Sequence, residues 1–196
     1  MICAVFLLIS SVNFPLHFAA IRGKNIKTYW RDPELKAFIT IQLALMLICF
    51  LVLVEEQIYP DWFSALNHGL FQAVSMSTTA GFSTASFSSW PLFLPILLIF
   101  ASFIGGCAGS TAGGLKVVRV LLLFLQGKRE LNRLVHPRAV YSIKLGRRPV
   151  PDRIVEAVWG FFAAYAFVFV VIMLSLLLVG MDNISAVSYT HLTLPT

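Results

Sequence analysis

The sequence predicts an all-α membrane protein in which a helix, a re-entrant loop and a broken helix follow one another. Three observations carry that prediction. Of the 196 residues 58% are hydrophobic and 12% are charged, about half the charged share of a typical soluble chain, and the mean hydropathy is +0.83. The basic residues fall into two clusters beside apolar stretches, and one apolar stretch is interrupted by ten small residues, five of them glycine. This composition excludes a disordered, collagenous or disulfide-stapled chain. Cys3, Cys49 and Cys107 are scattered in apolar surroundings, fit neither a disulfide framework nor a metal cluster, and read as packing residues.

The net charge of +6 does not point to nucleic acid, because it is not spread along the chain. Arg22, Lys24, Lys27, Arg31 and Lys36 form one cluster, and Lys128, Arg129, Arg133, Arg138, Lys144, Arg147, Arg148 and Arg153 the other, with only Lys116 and Arg119 elsewhere. Two basic loops beside apolar segments place both on the cytoplasmic side. The first stretch lacks the basic start and small-residue site of a cleavable signal.

Taken in order, Met1 to Val12 is apolar and runs into Asn13 and Pro15. As a helix it is about 18 Å long, short of the roughly 30 Å core, so it reads as the cytoplasmic end of a longer helix. Ala37 to Val54, broken only by Gln42 and closed by Glu55, Glu56 and Asp61, reads as a span. Ala157 to Val179 reads as another. Pro91 to Gln126 is nearly as poor in charge, but as one helix it would run about 54 Å, so it must bend or break. The break is Gly105, Gly106, Cys107, Ala108, Gly109, Ser110, Thr111, Ala112, Gly113, Gly114, each glycine there costing about 1 kcal/mol relative to alanine in a helix. Unwound backbone at membrane depth is tolerated where it is buried in protein or lines a water-filled cavity, so this segment is expected to face a pathway.

With both basic loops inside, the chain crosses an even number of times between them, and residues 37–54 and 91–126 supply two crossings. Trp62 to Met76, short and carrying His68 and Gln72, is then a re-entrant half-helix, and the polar Ser77-Thr78-Thr79-Ala80-Gly81-Phe82-Ser83-Thr84 its extended return. That arrangement is the architecture of a cation pore. Carbonyls of the return replace the ion's hydration shell, Gly81 lets successive carbonyls point the same way, and the partially negative end of the half-helix, at Val74 to Met76, faces the ion. The expected cation-binding residues are Thr78, Thr79, Ala80 and Gly81.

Several motifs together resemble one family. They are Ser77-Thr78-Thr79-Ala80-Gly81-Phe82, Trp90-Pro91-Leu92-Phe93-Leu94-Pro95, and Ile104 through the glycine run to Leu115-Lys116, joined by Tyr29-Trp30-Arg31-Asp32-Pro33-Glu34-Leu35 and His136-Pro137-Arg138-Ala139-Val140. Over residues 10 to 187 the chain is similar to the potassium-uptake subunit of the Trk/Ktr/HKT superfamily, and most like its bacterial Trk-type members. The resemblance implies potassium-channel-like helix, pore loop, helix repeats around one pore, in a multi-pass protein of the bacterial inner membrane. It implies potassium as the transported ion, no cofactor in the chain, a homodimer, and a cytoplasmic nucleotide-binding regulatory subunit as partner. On this reading 1–36 is the end of a second repeat and a basic loop, 37–126 a complete third repeat, 127–153 the second basic loop, and 154–187 the first helix of a fourth. The segment 188–196 departs from the family pattern, which is expected of a C-terminally truncated fragment.

Each of these features admits a competing reading. The glycine run fails as a nucleotide-binding P-loop, since Leu115 separates Gly114 from Lys116 and Val117 follows; small-residue helix packing through Gly105, Gly109 and Gly113 is the stronger rival to a gating loop. Lys116 reads either as a functional charge at membrane depth or as a side chain reaching the cytoplasmic interface. Arg119 reads as an interface residue or ion-pair partner, the acids 55–61 as loop charges, and His68 is given no proton-carrying role. The apolar segments lack the buried nucleophile, carboxylate pair or histidine cluster of a membrane enzyme. The alternative transport reading is a cation-coupled secondary transporter with a discontinuous helix.

Overall fold

The structure is a computed structural model that describes residues 1–85, 90–136, 142–146, 148–181, 187 and 190. The Pro137 to Val140 part of the motif above, and all of the 188–196 segment but Thr190, lie outside the described residues. The chain divides into two compact units, Met1–Val118 and Arg119–Thr196.

Among the described residues, the regular elements of the first unit are all helices. Helices α1 (Ile2–Ser10) and α2 (Phe14–Arg22) meet at 92°. The sequence reading ends the first helix at Asn13; the chain turns there, but Pro15 occupies the first turn of a new helix, where its missing N–H leaves no bond unmade. A short α3 (Lys27–Arg31) follows, then α4 (Pro33–Glu55), whose N-terminus is capped by Asp32 Oδ1, accepting from the amides of Glu34 at 2.8 Å and Leu35 at 3.3 Å. Helix α5 (Trp62–Ser77) starts after Pro60-Asp61, and α6 (Phe93–Ile104) closes the group.

Helix α5, at 16 residues shorter than the 23-residue α4, packs between α4 and α6. Leu45, Cys49 and Leu53 of α4 and Leu94, Leu98 and Ala101 of α6 bury the small face of Ala65 and Ala73, with Trp90 sealing one end. Where Gly69 crosses α4, a Cβ would stand 3.1 Å from Leu53 Cδ1, so the two backbones approach closely. Between helices in lipid, packing of this kind and hydrogen bonds hold the group together, because lipid is as apolar as the side chains.

In the second unit, helix α7 (Val117–Val135) contributes the residues from Arg119 on. It runs past Gln126, where the sequence reading begins a loop, because Gln126 and Arg133 both reach Glu130 across one turn and Gly127 alone does not stop a helix. Lys144–Leu145 (β1) pairs antiparallel with Arg148–Pro149 (β2). Helix α8 (Asp152–Leu178) follows, tied to α7 by Arg129 on Asp152 at 2.5 Å. Among the described residues, α4 and α8 are long and apolar enough to cross a membrane, and the bent α1–α2 pair makes a third if taken as one span.

Candidate functional site

At the C-terminus of α5 the chain folds back over the helix end. The amides of Thr78, Thr79 and Ala80 donate to the carbonyls of Val74, Met76 and Ser75 at 2.9, 3.1 and 2.9 Å. The Ser75 hydroxyl donates to the Phe82 carbonyl at 2.5 Å and pins the far side of the return. Two residues here adopt left-handed backbone, Thr79 with φ 58° and Gly81 with φ 75°. For a β-branched residue such as Thr79 that conformation stores about 1–3 kcal/mol of strain. Among the described residues no hydrogen bond ends on the carbonyl oxygens of Thr78, Thr79, Ala80 or Gly81.

The return is held from behind by polar contacts that the sequence reading did not single out. Gln42 Nε2 of α4 donates to Ser77 Oγ at 2.6 Å, both residues being buried. At the other end of the return His68 stacks on Tyr59, with ring centroids 4.9 Å apart, and its Nδ1 lies 3.1 Å from Thr84 Oγ1. Trp90 Nε1 donates to the Tyr59 hydroxyl at 3.3 Å. His68 thus braces the segment. The available signal for Gln42 is its side-chain amide in an otherwise apolar stretch, where Thr40 alone is also polar and bonds back to the Lys36 carbonyl of its own helix.

The glycine run leaves α6 as an excursion whose ends meet again. The Leu115 amide donates to Phe103 O at 2.8 Å and the Val117 amide to Gly106 O at 3.0 Å, closing a neck before α7 begins. Gly105 and Gly114 stand back to back at that neck. A Cβ on Gly105 would fall 1.9 Å from the Gly113 carbonyl oxygen and one on Gly114 2.8 Å from Gly105 Cα, and both have positive φ. Only glycine fits there.

Three sets of contacts fasten the excursion to the rest of the unit. Its first half docks on the α1–α2 corner: Cys107 N donates to Ser11 O at 2.9 Å, Thr111 N to Ser10 O at 3.3 Å, and Phe14 N to Gly109 O at 3.2 Å. Ala108 N donates to Glu34 Oε1 at 2.6 Å. In the second half, Gly113 N donates to Thr79 Oγ1 at 2.7 Å. The structure therefore joins two segments that the sequence reading kept separate, the Thr78–Gly81 return and the Gly105–Gly114 run. Lys116, with φ 71°, turns its Nζ back onto the Ala112 carbonyl. In the second unit the Arg119 guanidinium lies 4.0 Å from the Phe161 ring centroid, a cation–π contact where the sequence left an interface position or an ion pair open.

A protein-family model described as a cation transport protein, TrkH, matches residues 1–189. The chain is 61% identical over 196 residues to the Trk system potassium uptake protein TrkH of Vibrio parahaemolyticus, covering 99% of this chain and 40% of that protein. It is 58% identical over 193 residues to the Trk system potassium uptake protein TrkH of Escherichia coli K12, covering 98% and 40%. The crystal structure of the potassium transporter TrkH from Vibrio parahaemolyticus matches with a TM-score of 0.90 at 62% identity, covering 94% of this chain and 40% of that one. This chain thus spans about 40% of the length of the relatives it matches.

Proposed function

The chain belongs to the TrkH family of cation transport proteins, and from that membership we propose that it supplies part of the conducting path of a membrane potassium-uptake subunit. Thr78, Thr79, Ala80 and Gly81 are the filter segment, offering backbone carbonyls to a potassium ion that sheds its water. The C-terminal end of α5, with its partial negative charge, faces the same place and favours a cation. The Gly105–Gly114 excursion is the gate. The observation that carries this reading is the Thr79–Gly113 hydrogen bond, which latches the excursion directly onto the segment with open carbonyls.

Opening then requires breaking that latch and moving Ala112 to Lys116. Cys107 to Thr111, fastened to the α1–α2 corner and to Glu34 of α4, moves only with those helices. The paired glycines at the neck let the backbone change direction without a side chain in the way. The same reading takes the protein to be a multi-pass protein of the bacterial inner membrane, working as a homodimer with a cytoplasmic nucleotide-binding regulatory subunit, and needing no cofactor of its own. Those partners rest on the family resemblance.

The test is a chimera in which this sequence replaces the matching segment of the full-length Vibrio relative. Gly81→Ser forces a side chain into left-handed backbone and tilts a carbonyl, so the potassium-over-sodium flux ratio should fall by roughly an order of magnitude. A flux ratio equal to that of the unsubstituted chimera removes Gly81 from the filter.

A further inference from the structure

Glu34 is a buried acid on the first turn of α4, 7% exposed, and neither the filter nor the gate just described uses it. Its position is fixed from two sides. Asp32 Oδ1 accepts the Glu34 amide at 2.8 Å, and Pro33 precedes it as the first residue of α4. Around it Leu35, Phe38, Val12, Cys107 and Val117 close an apolar cluster, with Tyr29 packed against the edge. The carboxylate accepts Ala108 N–H at 2.6 Å.

That donor explains why a carboxylate stands there. Ala108 lies in the first half of the excursion, where unwound backbone has no helical partner for its amide. A carboxylate oxygen satisfies that amide, and with little water to compete the bond is strong.

We propose that Glu34 is a positioning residue that ties the start of α4 to the glycine-rich excursion, so that the basic segment 24–32 is a second handle on the gate. A displacement of that segment passes through the Asp32 cap and Pro33 to the carboxylate and on to Ala108. Tyr29 of α3, whose hydroxyl lies 2.8 Å from His17 Nδ1 of α2, keeps the segment braced until something moves it. The functional consequence rests on the gating reading; the tie itself does not.

Cys107, next to Ala108 and 1% exposed, reports on the tie without any transport assay. In the chain carrying Cys3→Ser and Cys49→Ala, Cys107 is the sole thiol, and its rate of modification by methyl methanethiosulfonate is measured in detergent micelles. Glu34→Ala should raise that rate about tenfold, and Glu34→Gln, which keeps one neutral acceptor, about threefold. Glu156→Gln, on the exposed side of α8, should leave it unchanged. Helix content by circular dichroism checks folding, and if Glu34→Ala does not fold, Glu34→Gln decides alone. Rates for the folded Glu34 variants equal to that of the parent overturn the tie. Potassium flux through the chimera separates the two readings: faster labelling with raised flux and an unaltered flux ratio supports both. Faster labelling with unaltered flux keeps the tie and overturns segment 24–32 as a handle on the gate.

Discussion

Two helices in the first unit are interrupted, and they are interrupted differently. Between α1 and α2 the break is Ser11-Val12-Asn13, and the chain leaves at 92° to its first course. Between α6 and α7 the break is twelve residues long, yet its neck closes on the Leu115–Phe103 and Val117–Gly106 bonds. The first break changes direction, and the second adds an excursion. Each supplies what the other lacks: the corner exposes the last carbonyls of α1 and the first amide of α2, groups that every helix end leaves unpaired. The excursion brings the amides of Cys107 and Thr111 and the carbonyl of Gly109 to meet them. A break at membrane depth is stable when a second break covers its polar groups.

The comparison breaks first at the neck. Gly105→Ala sets a Cβ on the Gly113 carbonyl oxygen and strains a positive φ, so it should destabilise the chain by roughly 3 kcal/mol or more, read as a fall in the thermal midpoint in detergent. A midpoint equal to the parent's means the neck opens without penalty and the excursion is no closed unit. A smaller effect sharpens the division between its two halves. Thr79→Val keeps the shape but removes the acceptor for Gly113 N–H, a loss of about 1–2 kcal/mol. Hydrogen exchange at the Gly113 amide should rise about tenfold, with Cys107 and Thr111 amides unchanged; if those speed up as well, the excursion moves as one piece. The smallest effect belongs to the corner. Asn13 occupies the cap position of α2 without making a side-chain cap bond, so Asn13→Ala should change stability by less than about 0.5 kcal/mol. A loss above 1 kcal/mol would show that the corner depends on this side chain rather than on the excursion docked against it.

Much of this was legible in the sequence because helix breaks are written in local chemistry. Five glycines in ten residues cannot continue a helix, and residues 62–84 pair an apolar helical face with a polar return too short to cross. The contacts among those pieces were not legible. Nothing in the spacing of Thr79 and Gly113, or of Glu34 and Ala108, announces a hydrogen bond across 34 or 74 residues. Asn13 and Pro15 signalled a stop, and the resumption as α2 depends on backbone that Pro15 is shaped to begin. Arg119 reads from the sequence as an interface residue or an ion-pair partner, and nothing in its spacing announces the aromatic face beside it. Gln42 was visible as an exception with no partner in view.

The Gln42–Ser77 contact bears on how the protein is made. As α4 leaves the insertion machinery it carries an amide in the middle of its apolar face, and lipid offers that group nothing to bond with. The last residue of α5, Ser77, brings a hydroxyl to it, at 2.6 Å in the folded chain. Helix α5 is itself 16 residues long, too short to stand across the bilayer. The amide thus gives the short helix a berth, and the short helix gives the amide its bond. Neither is at rest in the membrane until the other arrives, so α4 and the half-helix behind it settle as a pair.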